Sequence, residues 1–323
     1  MRKFIIAVDI GGSKVLCGVL NRNGEVLMHS RETTCAAGHP QAVIEQTERM
    51  VEELKLAMGL KKKDIMGTGV GVPGPLDYQA GIVEESPNLR WLKYPVREEL
   101  SKRLGGKLLL DKDTNVAAWG EYYYGSNRKY RHLIYITVST GVGGGIIVDG
   151  RLLHGLNGGG GEIGHMVVAP GGSRCGCGRR GCLEAVASGT AIAREANALI
   201  ARGKGDMILA NVGPGQPVSA REAGQAARQG DEEALRLIDQ AGHYLGMGIA
   251  NLVNIFNPEK VVLGGGAALG LHDLLLPIIQ NEVINNVFSL HRRDLKIEMT
   301  RLGDDIVLAG CAAMVLNNPA AGK

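Results

Sequence analysis

The chain has 323 residues, 45% hydrophobic and 21% charged, an ordinary globular balance with length enough for two domains and a large buried core. A formal net charge of +3 is far from the basic stripe of a nucleic-acid protein, so no nucleic-acid partner is expected. No run of eighteen apolar residues occurs, and Phe4–Val8 is too short for a leader and ends in Asp9, so a soluble, cytoplasmic protein with no membrane partner is expected.

Phe4–Val8 predicts a buried strand, Asp9–Lys14 a tight turn and Val15–Leu20 a second strand. Asn23-Gly24 is a hairpin signal, with Val26–His29 as the third strand. Apolar residues at helical spacing from Val43 to Leu54 predict a helix over Pro40–Met58, ending near Gly59. Met66–Val72 reads as a strand, broken by Pro73-Gly74-Pro75. Leu108–Leu110 is a short strand, and Val116–Tyr124 a helix with Thr114 or Asn115 as its N-cap. His132–Val138, the glycine turn Ser139–Gly144, Gly145–Val148 and the Asp149-Gly150 hairpin then repeat the opening order. This is an internal duplication of supersecondary structure, each copy a sheet covered by helices. Leu183–Ala201 predicts a helix, Gly203–Pro217 a loop, and Ser219 with Glu222 a capping box. Glu232–Asn254 predicts a long helix, Lys260–Leu263 a strand running into Gly264–Gly266, and Asp305–Asn317 a final amphipathic helix.

The densest chemistry lies between Gly161 and Ala185. Cys175, Cys177 and Cys182 fall within eight residues, with His165 ten positions upstream. Three thiolates and one imidazole make a closed tetrahedral Zn2+ site of structural type. Such a staple would hold the flanking Glu162 and Glu184 near one another. The competing readings are a disulfide with a spare thiol, and a zinc ribbon gripping nucleic acid. The CxC spacing disfavours a bridge between Cys175 and Cys177. A ribbon needs two C-x2-C arms, and only Arg179 and Arg180 add local positive charge. Cys17, Cys35 and Cys311 are scattered, as in a reducing compartment.

Seven motifs together carry a resemblance: DIGGSK at 9–14, GVPGPLD at 71–77, DKDTN at 111–115, STGVGGG at 139–145, GEIGH at 161–165, CGCGRRGCLE at 175–184 and LGGG at 263–266. Over nearly its whole length the chain resembles the ROK family of bacterial sugar kinases. The resemblance implies an α/β, two-domain, actin-like/hexokinase-like ATPase fold, with duplicated ribonuclease H-like units and an interdomain cleft. The expected domains are a smaller one, 1–124 plus 305–323, and a larger one, 125–304, carrying the zinc site. The implied activity is ATP-dependent phosphorylation of a hexose at its 6-hydroxyl, glucose to glucose 6-phosphate. Another hexose (N-acetylmannosamine, allose or fructose) and a non-catalytic sugar-sensing role are the alternatives. Some members are repressors with an added DNA-binding domain; no helix-turn-helix precedes Asp9, which disfavours that branch. ATP, Mg2+ and structural Zn2+ are the implied cofactors, and a homodimer the implied assembly.

Within that frame Gly11, Gly12, Ser13 and Lys14 form one phosphate cradle, and Thr140, Gly141 and Gly143 the other; the plain alternative for each is a hairpin turn. Neither fits the P-loop or G-x-G-x-x-G spacing, since the sixth place from Gly141 is Ile146. Gly264, Gly265 and Gly266 resemble the adenosine-binding turn. Asp9, at a strand end, is placed to hold Mg2+, or is an ordinary turn residue. Asp113 matches the family's catalytic base, its alternative being a helix cap. Glu162, His165 and Glu184 are sugar contacts by resemblance, with Gly74 and Asn88 lining the same side. Lys112 stands where the family usually carries a sugar-binding Asn, which puts the identity of the sugar in question; it is placed to pair with Asp111, Glu162 or Glu184, or to reach solvent. The remaining histidines, His154 among them, read as surface or core residues, and Trp91 and Trp119 as packing residues.

Overall fold

The structure, a computed structural model, describes residues 3–35 and 39–317. The ends of the expected first domain, 1–2 and 318–323, lie outside the described residues. The chain divides into two compact units: Met1–Arg131, Gly145–Gly161 and Asp304–Lys323 in the first, His132–Gly144 and Glu162–Gly303 in the second.

The chain opens with β1 (Phe4–Ile10), β2 (Lys14–Leu20), β3 (Val26–Thr33), α1 (Ala42–Ala57) and β4 (Ile65–Val72). Then come β5 (Leu76–Asp77), β6 (Ile82–Ser86), β7 (Trp91–Tyr94), α2 (Val96–Leu104), β8 (Leu108–Lys112) and α3 (Asp113–Gly120). They are followed by β9 (Leu133–Val138), β10 (Val142–Val148), β11 (Arg151–Leu152), α4 (Leu183–Ala187), α5 (Gly189–Ala201), α6 (Asp206–Ala210) and α7 (Ala220–Arg228). The last are α8 (Glu232–Phe256), β12 (Lys260–Gly264), α9 (Gly266–Gly270), α10 (His272–Asn286), β13 (Lys296–Met299) and α11 (Ile306–Asn317).

One five-stranded sheet runs β3-β2-β1-β4-β8 and the other β11-β10-β9-β12-β13. Both place the third, second, first, fourth and fifth strands side by side in that order, which is the duplication read from the sequence. Parallel pairing of β1, β4 and β8 puts Asp9, Gly71 and Asp111 in one row at the strands' C-terminal ends. In the second unit β9 and β12 are parallel, so Thr137 and Gly264 also end side by side. Ligands of open α/β sheets bind beyond such ends.

Burial explains the helices. α1 buries Val43, Ile44, Thr47, Met50, Val51 and Leu54 along one face, at the spacing the sequence shows. Ser219 and Glu222 form the capping box of α7, and the Asp231 carboxylate caps α8 by accepting from Ala234 N–H. Asn257, in the left-handed conformation, closes α8. No helix among the described residues is long and apolar enough to cross a membrane.

Five local expectations change. The helix expected at Val116 starts at Asp113, with Lys112 as its extended N-cap, so Thr114 and Asn115 lie inside the first turn. Asn115, the third helical residue, is past the cap position, and its amide donates back to Asp111 Oδ1 at 2.9 Å. α3 ends at Gly120 and passes into a π-helical turn at Glu121–Gly125. The single helix expected over Leu183–Ala201 breaks at Ser188, whose extended backbone and hydroxyl cap α5 at Ala191 N–H. Residues 203–217, expected as loop, contain α6. Finally, α11 is not amphipathic: Ile306 and every residue from Leu308 to Val315 are buried. It packs against α3, β1 and β4. Gly310 makes this approach possible, because a Cβ there would overlap the Val116 carbonyl.

Candidate functional site

In the first unit the Gly11–Ser13 turn joins β1 to β2. Gly11 N–H donates to Lys14 O at 2.8 Å, and Thr34 Oγ1 donates to Gly11 O at 2.7 Å, so the turn is braced from β3's end. Gly12 and Ser13 are exposed, and Lys14, the first residue of β2, sends its ammonium to within 4.0 Å of Asp304. Asn88 packs against Gly12, where an added Cβ would sit 3.0 Å from Nδ2. Asn88 therefore stands beside the first glycine turn.

Asp9 is nearly fully buried directly before this turn. Burial pushes its carboxyl up to about 7, the negative charge of Asp113 adds to this, and Lys14 opposes it. Asp113 is the first residue of α3, and its Oδ1 accepts from Thr114 N–H at 2.7 Å. Hard carboxylate oxygens in this position fit Mg2+.

Lys112 does not reach solvent, being 5% exposed. Its stem packs against Gly74 and its ammonium donates to Gly160 O at 3.1 Å. The neighbouring Asp111 is 1% exposed and accepts from Lys112 N–H at 2.7 Å and from Asn115. Its second oxygen lies 2.7 Å from His154 Nε2, and the His154 ring stacks on Tyr78 with centroids 4.3 Å apart. Nothing in the sequence signals this contact, since 43 residues separate the two partners.

In the second unit His165, Cys175, Cys177 and Cys182 converge, their four ligand atoms all within 4.8 Å of one another. Cys177 and Cys182 sulfurs are 3.7 Å apart, as are Cys175 Sγ and His165 Nδ1. Tetrahedral zinc with bonds of about 2.3 Å sets sulfurs about 3.8 Å apart, so the geometry fits that ion and no disulfide. The hydrogen bond from Arg179 holds the Cys177 thiol down at about 6, while burial pushes Cys175 up to about 12 and Cys182 upward. Three thiols in one such cluster need a cation to ionise together.

Glu184 joins this cluster to the second glycine turn. Its Oε1 lies 3.9 Å from Cys175 Sγ, and its Oε2 accepts from Val142 N–H at 3.1 Å. Glu162 opens the 3-10 turn that ends at His165. Gly164 in that turn lies so close to the Val142 carbonyl that a Cβ would overlap it. Thr140 and Gly141 form the turn proper, whereas Gly143 belongs to β10. Thr140 O accepts from Thr190 N–H of α5 at 3.4 Å. Gly264 ends β12, Gly265 turns with φ +87, and Gly266 starts α9. A Cβ on Gly265 would overlap Thr137 and Val138, so this turn lies beside the Ser139–Gly141 turn.

A sequence profile of the ROK family matches residues 5–318. The chain belongs to the ROK family. A glucokinase of Thermotoga maritima is 33% identical over 312 residues, 96% of each chain. A xylose repressor of Caldicellulosiruptor bescii is 31% identical over 316 residues, 97% of this ROK chain and 78% of the repressor. Among solved structures, a ROK family glucokinase from Streptomyces griseus in complex with glucose and AMPPNP superposes with a TM-score of 0.83 at 30% identity, covering 96% of this chain and 98% of that one. This ROK protein therefore has the actin-like/hexokinase-like ATPase fold expected from its motifs.

Proposed function

We propose that this ROK protein is a sugar kinase that transfers the terminal phosphoryl group of ATP to the 6-hydroxyl of a hexose, with glucose as its substrate. The observation that carries this reading is the placement of two carboxylates at the C-terminal ends of the first sheet, Asp9 directly before the Gly11–Ser13 turn and Asp113 directly after β8 at the start of α3. Magnesium bound there would neutralise charge developing on the transferring phosphate oxygens.

Asp113 accepts the proton of the attacking hydroxyl, its carboxylate steadied by Thr114 N–H. The Gly11–Lys14 turn and the Thr140–Gly141 turn present backbone N–H groups to phosphate oxygens, and Gly264–Gly266 lie against the adenosine. Glu162 and Glu184 each accept hydroxyl hydrogens of the sugar. His165, whose Nδ1 faces the sulfur cluster, offers Nε2 to the sugar. A zinc ion held by these four ligands would have no open position, so it would hold the Glu162–Glu184 segment in shape and stay outside the transfer. Glucose is supported by the glucokinase of T. maritima and by the glucose-bound structure from S. griseus.

The similarity to a xylose repressor supports a second reading, a sugar-responsive regulator without turnover. One experiment separates the two: ADP release against glucose, N-acetylmannosamine, allose and fructose, alongside calorimetric binding of the same sugars. ADP release with glucose well above the rest is expected. Sugar binding with no ADP from any of the four would replace the kinase reading with the regulatory one.

A further inference from the structure

The segment His154–Gly160 reads HGLNGGG and has no regular secondary structure. Gly155 and Gly158 sit at positive φ, and Leu156 at its tip is fully exposed. Glycine-rich chain of this kind loses more conformational freedom on ordering than any other. It nevertheless closes on itself, Gly160 N–H donating to His154 O at 2.8 Å. Two consecutive residues of β8 grip the two ends of this closure. Asp111 Oδ2 holds His154 Nε2 at 2.7 Å, and Lys112 Nζ holds Gly160 O at 3.1 Å. Both β8 side chains are almost completely buried, and buried polar contacts of this kind fix one conformation because leaving a partner unsatisfied is costly.

We infer that Asp111 and Lys112 are positioning residues for sugar binding: together they fasten the 154–160 loop, from which the chain runs through Gly161 directly into Glu162. The Lys112 side chain thus replaces a sugar-contacting Asn with a clamp on the loop that delivers the next sugar ligand. This rests on the kinase reading only for its link to sugar; the clamp itself stands on the contacts.

The test uses four full-length variants. Lys112→Met keeps the stem on Gly74 and removes the donor. His154→Phe keeps a ring over Tyr78 and removes the bond to Asp111. Lys112→Arg and His154→Gln restore a donor at each end. Amide hydrogen exchange of residues 154–162 is followed without ligand, and KM for glucose, KM for ATP and kcat are measured in parallel. Loss of either clamp is expected to speed exchange in that segment and raise the glucose KM about tenfold, the equivalent of one net buried hydrogen bond. The KM for ATP should stay unchanged, with at least one restoring variant recovering both readouts. Unchanged exchange in both Lys112→Met and His154→Phe, or a KM for ATP rising in step with that for glucose, would overturn the inference. If the unaltered protein phosphorylates no sugar, the kinase reading fails by itself, and exchange together with the dissociation constant for glucose decides the clamp.

Discussion

Removing the metal from the His165–Cys175–Cys177–Cys182 cluster should lower the thermal stability of the second unit by an amount set by mass action. Zinc held at a thousand times its dissociation constant stabilises the folded state by about 4 kcal/mol. For a domain of 150–250 residues each kcal/mol moves Tm by about 2–4 °C, so stripping the metal should lower Tm by about 8–16 °C. Cys177 is exposed and gives a chelator its way in, whereas Cys182 is fully buried, so no solvent water stands ready to replace its thiolate. Cys182→Ala should therefore show the low Tm from the start and respond no further to chelator. The assay is scanning calorimetry with and without a high-affinity zinc chelator, with metal content measured on the same samples. Purified protein lacking stoichiometric zinc, with a Tm indifferent to chelator and to Cys182→Ala, would refute the reasoning from ligand geometry.

Four further outcomes are expected. Asp113→Asn keeps the Thr114 contact but cannot accept the hydroxyl proton, so kcat should fall by about 10²–10⁴ with Tm nearly unchanged, measured by coupled ADP release. The Arg228 guanidinium holds the Asp273 carboxyl down at about 2, so its contribution to stability is present above the ordinary Asp value and lost as pH falls toward 2. Because both side chains are more than a third exposed, solvent screening limits that contribution to about 1 kcal/mol or less; urea curves of Arg228→Met and the unaltered protein should differ at pH 7, and the difference should narrow toward pH 2, leaving the part due to the Arg228 bond to Gly270 O. Gly310→Ala forces a methyl into the Val116 carbonyl and should cost at least about 3 kcal/mol in the same assay. Gly270→Ala, with open space at its Cβ and ordinary φ, should be neutral or stabilising by about 0.5–1 kcal/mol.

What could be read in the sequence was what local signals encode. The strand–turn–strand repeat announces itself through apolar runs, two glycine turns and hairpin dipeptides, and both sheets take the same strand order. The metal ligands fall within eighteen residues, so spacing alone groups them, and the structure brings their atoms together. The small β5-β6-β7 sheet was illegible because β6 and β7 bury their first or second and last residues and expose the middle, with no alternation to detect. α10 was hidden by Pro277 inside it. The Asp111–His154 contact joins residues 43 positions apart, and a lone histidine carries no spacing signal. Burial of α11 on all sides likewise depends on strands β1 and β4 from the other end of the chain.

Glu184 lies against the Cys175 sulfur with one oxygen, and with the other it accepts from Val142 N–H, at the start of β10 directly after the Ser139–Gly141 turn. The sulfur cluster is thus one side chain away from the bend proposed to bind phosphate. Cobalt loaded into the cluster in place of the proposed zinc would make it a chromophore. A change in its visible absorption on adding a nucleotide would then report occupancy of the neighbouring bend, with neither an added label nor catalytic turnover.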